Sequence, residues 1–413
     1  MINRNKFIAM GCGLSFTVFL LGACGGSSFD SPFAIITLPD DLGAPKYKLG
    51  DRLESLSGTD QVAFNDGFNA FLSSEDKADG LGPVFNGESC SQCHVQGAVG
   101  GAGNDLQLTR VTRIGGMRNG LYSDLEDLGG PVLQSRSLKE FDPSYPISAE
   151  VVPTGAQFVS HRITTPLFGA GLIEAIPDAT IIARTNMKLP DGVAGVANMA
   201  FNPETNHVEV GRFGWKAQLS SLTIFSGDAY LNEMGITTPL FPSENLPQGH
   251  PIGPGLDVAG DPEDAEDVEA FASFMRFLAP PTRAVLSVNA KKGEVLFSQL
   301  GCANCHVPSM NTGPNANAAL SNKDVNLYSD LLVHKMGSQL ADGIIQGKAT
   351  GEMFRTAPLW GLSKRVLFMH DGRATSFEGA IMTHGGEAEK AKQRFNSTKT
   401  ADRSALIEFL SSL

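Results

Sequence analysis

Cys90-Ser91-Gln92-Cys93-His94 and Cys302-Ala303-Asn304-Cys305-His306 decide how this chain is read. Each is a C-x-x-C-H pentapeptide, the attachment signature of c-type haem. Two thiols add across the two vinyl groups of one porphyrin, so they must sit about one helical turn apart. The adjacent histidine then points under the iron as proximal ligand. A thioredoxin-like redox pair has no need of that histidine and belongs at a strand–helix junction. A four-cysteine zinc site would have to join motifs more than 200 residues apart. The duplicated motif therefore predicts two covalently bound haem c groups, on Cys90/Cys93/His94 and Cys302/Cys305/His306.

The remaining two of the six cysteines belong to the N-terminal segment. Arg4 and Lys6 precede an apolar run, Phe7 to Leu21, that is short for a membrane span. It closes on Leu21-Gly22-Ala23-Cys24, where small residues before a cysteine match a bacterial lipoprotein signal. Cys24 is then the lipidated first residue and Cys12 is lost with the leader. An ordinary signal peptide with a chance cysteine is the other reading, and either exports the body. Residues 1–24 are read as signal and 25–46 as a flexible tether. The expected location is the periplasmic side of a bacterial membrane, the outer before the inner, with a lipid as the sole anchor. A formal net charge of -12 argues against a nucleic-acid partner, because phosphate binding wants a basic face.

The flanks of the two motifs agree with each other. Gln61 to Leu72 carries apolar residues at helical spacing, and Ala290 to Phe297 reads as a short amphipathic helix entering Gly301-Cys302. Downstream stand Arg162-Ile163-Thr164-Thr165-Pro166 and Arg355-Thr356-Ala357-Pro358. Each half closes on a helix, around 263–278 and 402–410, with Pro280-Pro281 between the halves. This is the pattern of a diverged internal duplication. The expected fold is mainly α, two cytochrome c-like domains over 47–280 and 285–413, each built around its haem. The first is enlarged by an insertion in which Val208 to Val210 and Trp215 to Gln218 add minor strand. With 46 glycines and 23 prolines, long turns are expected between the helices.

Residues 355–384, with Phe368-Met369-His370-Asp371-Gly372-Arg373-Ala374, resemble the bacterial dihaem cytochrome c peroxidases and the related enzyme that matures a tryptophylquinone cofactor. The chain as a whole, from about 45 to 413, is most similar to a sister group of dihaem oxidoreductases once catalogued as a domain of unknown function. The matching pieces are Asn86-Gly87-Glu88-Ser89-Cys90, Gly171 to Pro177, Gly211-Arg212-Phe213-Gly214-Trp215-Lys216-Ala217, Asp330-Leu331-Leu332-Val333-His334 and His384-Gly385-Gly386-Glu387-Ala388.

The resemblance implies roles for single residues. In the peroxidases a methionine fourteen residues beyond the His-Asp-Gly histidine ligates the C-terminal haem; here that count from His370 lands on His384. The resemblance thus implies His306/His384 ligation of the second iron, with Met382 as rival. Bis-histidine ligation lowers a haem potential relative to thioether ligation. In the relatives a distal glutamate serves the open haem. Aligning the halves on Pro166 and Pro358 gives Glu174 that role, with a salt bridge to Arg162 or Arg212 as the plain reading. His161 is a competing sixth ligand. Trp215 is the candidate electron relay between haems, against an ordinary core role. His370 is expected beside the second haem. Arg162, Arg212, Arg355 and Arg373 are candidates for propionate pairing, Arg162 also for the catalytic site. A calcium bridges the domains in the peroxidase relatives, but no compact acidic loop here demands one.

The implied activity is a peroxidase-type oxidoreductase that reduces hydrogen peroxide with electrons from a small cytochrome or copper protein. Two alternatives stand beside it: a non-catalytic electron-transfer protein with both irons capped, and a dihaem enzyme that oxidises a partner protein.

Overall fold

A computed structural model describes residues 34–39, 46–256 and 265–413. The leader, Cys24 and most of the expected tether lie outside these. No helix among the described residues is long and apolar enough to cross a membrane.

The first half runs α1 (Gly58–Leu72), β1 (Val84–Phe85), α2 (Cys90–Cys93), β2 (Arg110–Arg118), β3 (Leu121–Ser123), β4 (Val132–Leu133), β5 (Arg136–Ser137), β6 (Phe158–Ile163), α3 (Ala170–Glu174), α4 (Asp178–Thr185), β7 (Met199–Asn202), β8 (His207–Val210), α5 (Leu222–Met234) and α6 (Ala265–Phe277). The second runs α7 (Val288–Gln299), β9 (Met310–Asn311), β10 (Asp324–Val325), β11 (Val333–Lys335), β12 (Met353–Arg355), α8 (Phe377–Thr383), α9 (Glu389–Ser397) and α10 (Thr400–Leu410).

A crossed helix pair frames each haem motif, and the two pairs are built alike. α1 begins at Ser57, whose hydroxyl and Asp60 form a capping box; α7 begins at Ser287, which accepts from Ala290 N–H. In both, a glycine lets the partner helix close to backbone contact. A Cβ on Gly67 would lie 2.1 Å from Ala270 O, and one on Gly293 would lie 2.0 Å from Ala405 O. Aromatic rings lock each crossing: Phe71–Phe274 at 4.9 Å in the first pair and Phe297–Phe409 at 5.5 Å in the second. Each such ring pair adds about 0.5–1.5 kcal/mol beyond burial. The same phenylalanines reach the haem motifs, Phe71 lying 5.7 Å from His94 and Phe297 6.3 Å from His306. The duplication expected from sequence is therefore visible as repeated packing.

The architecture is mixed rather than mainly α. β2 is a nine-residue strand that pairs antiparallel with β3, β4 and, over Arg110 to Gly115, with β6. The expected strand at Val208 exists as the β7–β8 hairpin. Trp215 to Gln218 forms no strand: Gly214 and Ala217 have positive φ, and the segment is a tight loop closed by a bridge between Phe213 and Leu219.

The second half has a core of its own around Leu286, Phe297, Phe395 and Phe409, but part of that half packs into the core of the first. Met310, Leu320, Val325, Leu327, Leu332 and Trp360 pack with Leu167, Ile173, Phe213, Leu222 and Phe274 in one apolar cluster. Ile36 and Leu38, within the expected tether, bond to Ser298 and Glu294 on α7. That stretch is extended backbone anchored to the second half.

Candidate haem sites and active site

Two large cavities hold the two motifs. The first is walled by Cys90, Cys93, His94, Phe71, Trp215 and α5. The second is walled by Cys302, Cys305, His306, His384, Trp215 and His370. Burial pushes the Cys93 and Cys302 thiols up to about 12, and those of Cys90 and Cys305 rise for the same reason.

The motif histidines are oriented alike. His94 Nδ1 donates to Gly101 O at 3.2 Å, with the Thr165 backbone also bonding the ring, and His306 Nδ1 donates to Tyr328 O at 2.9 Å. This is the backbone partner that fixes a ligating imidazole. Burial pulls both rings down to about 4, so both are neutral and able to ligate.

His384, at the end of α8, donates from Nδ1 to Ala380 O at 2.8 Å and faces His306 with ring centroids 6.4 Å apart. Two metal–nitrogen bonds of about 2 Å each, plus the two ring radii, come to about that separation. Met382, the rival, is exposed and lies off the cavity wall. No second imidazole among the described residues lines the first cavity. His161 is exposed on the outer face of β6, where it meets Thr112 Oγ1 at 3.0 Å, because strand alternation turns it away from the cavity that Arg162 faces.

Glu174 does not line the first cavity. Its carboxylate bonds Arg276 at 3.0 Å and accepts from Leu222 N–H at 2.7 Å, fixing the start of α5 to α6. The partner is Arg276 rather than Arg162 or Arg212. The acids that face the cavity are Asp228 and Glu233, both on α5. Burial, then repulsion from Asp228, lifts Glu233 to about 7, with Arg113 opposing; burial also raises Asp228. Two acids on a helix that otherwise buries Leu222, Ile224, Tyr230, Leu231 and Met234 are the sequence signal that was there to be read.

Trp215 lines both cavities, and its indole N–H donates to Ile163 O at 2.8 Å. His370 stands edge-on to it at 6.4 Å and stacks on Phe354 at 4.1 Å. Burial pulls His370 down to about 4.

The expected arginines divide. Arg355 lines the second cavity; its Nε bonds Gly214 O, its Nη1 is buried without a partner, and burial alone pulls it down to about 10. Arg365, which sequence reasoning passed over, lines the same cavity, has a buried Nε without a partner and is likewise pulled down to about 10. Arg113 on β2 carries an orphaned Nε into the first cavity, where Asp228 and Glu233 also lie. Arg355 and Arg365 face no anion, a costly state for a buried cation, and haem propionates would supply one. The cavities thus fit haem.

Arg212, Arg373 and Arg162 do not fit propionate roles. Arg212 donates to Ile173 O, Glu174 O and Ile176 O and pairs with Asp178, tying down the end of α3. Arg373 is held by Asp371 and Gln339 O, off the second cavity wall. Arg162 lines the first cavity, but its guanidinium pairs with Asp342 at 2.7 Å, and Lys216 reaches the same carboxylate at 3.1 Å.

No curated protein matches this chain. Similar solved structures include the hydrazine synthase of Kuenenia stuttgartiensis, at 16% identity over 92% of this chain and 99% of that chain, TM-score 0.41. A MauG-like protein associated with microbial copper homeostasis matches at 15% over 90% and 95%, TM-score 0.41. The diheme peroxidase BthA from Burkholderia thailandensis matches at 14% over 91% and 95%, TM-score 0.41. These likenesses are distant. A family model described as "Di-haem oxidoreductase, putative peroxidase" matches residues 152–413, more than half of the chain. On that match the chain belongs to the di-haem oxidoreductases and is an oxidoreductase with two haem cofactors.

Proposed function

We propose that this chain is a lipid-anchored, extracytoplasmic dihaem enzyme of peroxidase type, with both haems covalently attached at Cys90/Cys93 and Cys302/Cys305. Its substrate is hydrogen peroxide and its electron donor a small cytochrome or copper protein. One observation carries the reading: the second cavity presents two facing imidazoles, while the first presents His94 alone. That asymmetry supports one capped iron and one open iron.

When bound at His94, an open haem supplies the redox chemistry of O–O cleavage. The protein's part is to position and to move protons. Glu233, raised to about 7, is about half protonated at neutral pH and can pass a proton to a leaving oxygen. Asp228 shares that wall, and Arg113 offers positive charge beside both acids. This assigns to Glu233 and Asp228 the role that sequence gave Glu174. Trp215, common to both walls, supports a relay between the haems. Cys24, outside the described residues, would carry the lipid, and an outer-membrane position follows from the same signal.

The test is a resting-state optical and EPR spectrum of the loaded protein. One high-spin and one low-spin haem, with the high-spin signal lost on adding peroxide, is expected. Two low-spin haems inert to peroxide, for instance with Met234 or Met275 of the first cavity wall as a ligand, would sink the proposal and leave an electron-transfer protein.

A further inference from the structure

Two of the sequence motifs, Asp330 to His334 and His384 to Ala388, bond to one another. His334 Nδ1 meets Glu387 Oε2 at 2.8 Å, and His334 Nε2 meets Asp330 Oδ2 at 3.0 Å. The imidazole is buried, and with a carboxylate at each nitrogen it donates from both. Glu387 spends its remaining capacity on backbone: Lys335 N–H donates to Oε1 at 2.9 Å and Ala194 N–H to Oε2 at 2.8 Å. Glu387 stands three residues after His384. The intervening Gly386 has φ +54, and a Cβ there would lie 2.1 Å from Lys335 O, so the loop lies flat against β11.

The same segment reaches the other side of the second cavity. Tyr328 O accepts from His306 Nδ1, and Asp330 N–H donates to Cys305 O at 2.9 Å. Residues 328–334 thus touch the proximal histidine at one end and the loop of the distal histidine at the other. The Cys305 sulfur also lies within 4.8 Å of the Asp330 and His334 ligand atoms. That sulfur belongs to the haem-attachment motif, so the cluster is not read as a metal site.

We infer that Asp330, His334 and Glu387 are positioning residues for the sixth ligand: a buried carboxylate–imidazole–carboxylate strap holds His384 opposite His306. The inference rests on the proposed His306/His384 ligation. Charge-assisted hydrogen bonds inside a protein are among its stronger polar contacts, and removing one strands its partner. The strap keeps the second haem six-coordinate, and through Ala194 it ties that ligand to the first half.

The experiment compares wild type with Glu387→Gln, His334→Gln and, as control, Glu389→Ala at the start of α9, whose side chain bonds Lys392 and Gln393 but none of the strap residues. The readouts are the low-spin EPR signal of the second haem and carbon monoxide binding to its ferrous form. Wild type should be bis-imidazole and closed to carbon monoxide. In each strap variant the open population should rise on the order of tenfold or more, and Glu389→Ala should match wild type. Should Glu387→Gln fail to fold, His334→Gln alone decides. If wild type is bis-imidazole and the folded strap variants match it, the strap is overturned while the ligation stands. A wild type without the bis-imidazole signal overturns both.

Discussion

Glu233 is the residue whose titration can be followed most directly. Its ordinary value is 4.5 and burial lifts it to about 7 in the folded chain. Between those values the folded state holds a proton that the unfolded state has released. Stability from this group is therefore fully present below about 4.5 and is lost as pH rises through about 7. Glu233→Gln removes the effect: its denaturation midpoint should match wild type near pH 4.5 and exceed it at pH 8. The same variant should lose about 10²–10⁴-fold in peroxide turnover with its Soret band unchanged. Turnover within a few-fold of wild type would remove Glu233 from the mechanism. At this scale the sequence spoke unevenly. The C-x-x-C-H motifs stand out because covalent attachment demands their spacing, while His384 comes into view only through the resemblance, which places a ligand fourteen residues beyond His370; in the structure it lines the second cavity. Glu174, Arg212 and Arg373 were misread because charged side chains of similar sequence context differ only in what they meet in space. Arg276 and Asp178 claimed the first two, and Asp371 the third.

Elements carry the next level of the argument, in the two helix crossings. Gly67→Ala and Gly293→Ala each force a methyl group against a helix carbonyl, at 2.1 Å and 2.0 Å. Overpacking of this kind costs about 1–3 kcal/mol. Urea denaturation of the haem-loaded protein should show both midpoints lowered, and an unchanged midpoint in either would mean the crossing is looser than described. The four helices of these pairs were legible from their apolar spacing, and in the structure Ser57 and Ser287 cap α1 and α7. The β2–β6 pairing was not. β2 opens Arg110-Val111-Thr112-Arg113-Ile114 and continues through Gly115-Gly116, so its β-branched residues are broken by cations and glycines. What makes it a strand is its partner, 40 or more residues away in sequence.

The whole molecule is joined by charge as well as by its shared core. Asp342, from the second half, binds Arg162 and Lys216 of the first, and all three side chains are almost wholly buried. Burial pulls Lys216 down to about 8, and the carboxylate opposes that pull. Asp342→Asn would leave two buried cations facing each other, which should destabilise the protein by about 3–5 kcal/mol. Thermal or denaturant unfolding at neutral pH measures this; a loss under about 1 kcal/mol would show that water reaches the cluster.

The anchoring of Leu38 to α7, by Glu294 and by Arg283, has a mechanical consequence. Ile36 is anchored as well, and it stands twelve residues beyond Cys24, the proposed lipid site. Twelve residues span at most about 43 Å. With the proposed lipid in place, that reach would set the greatest distance between the second half and the lipid surface, and a donor protein serving the second haem would have to fit within it.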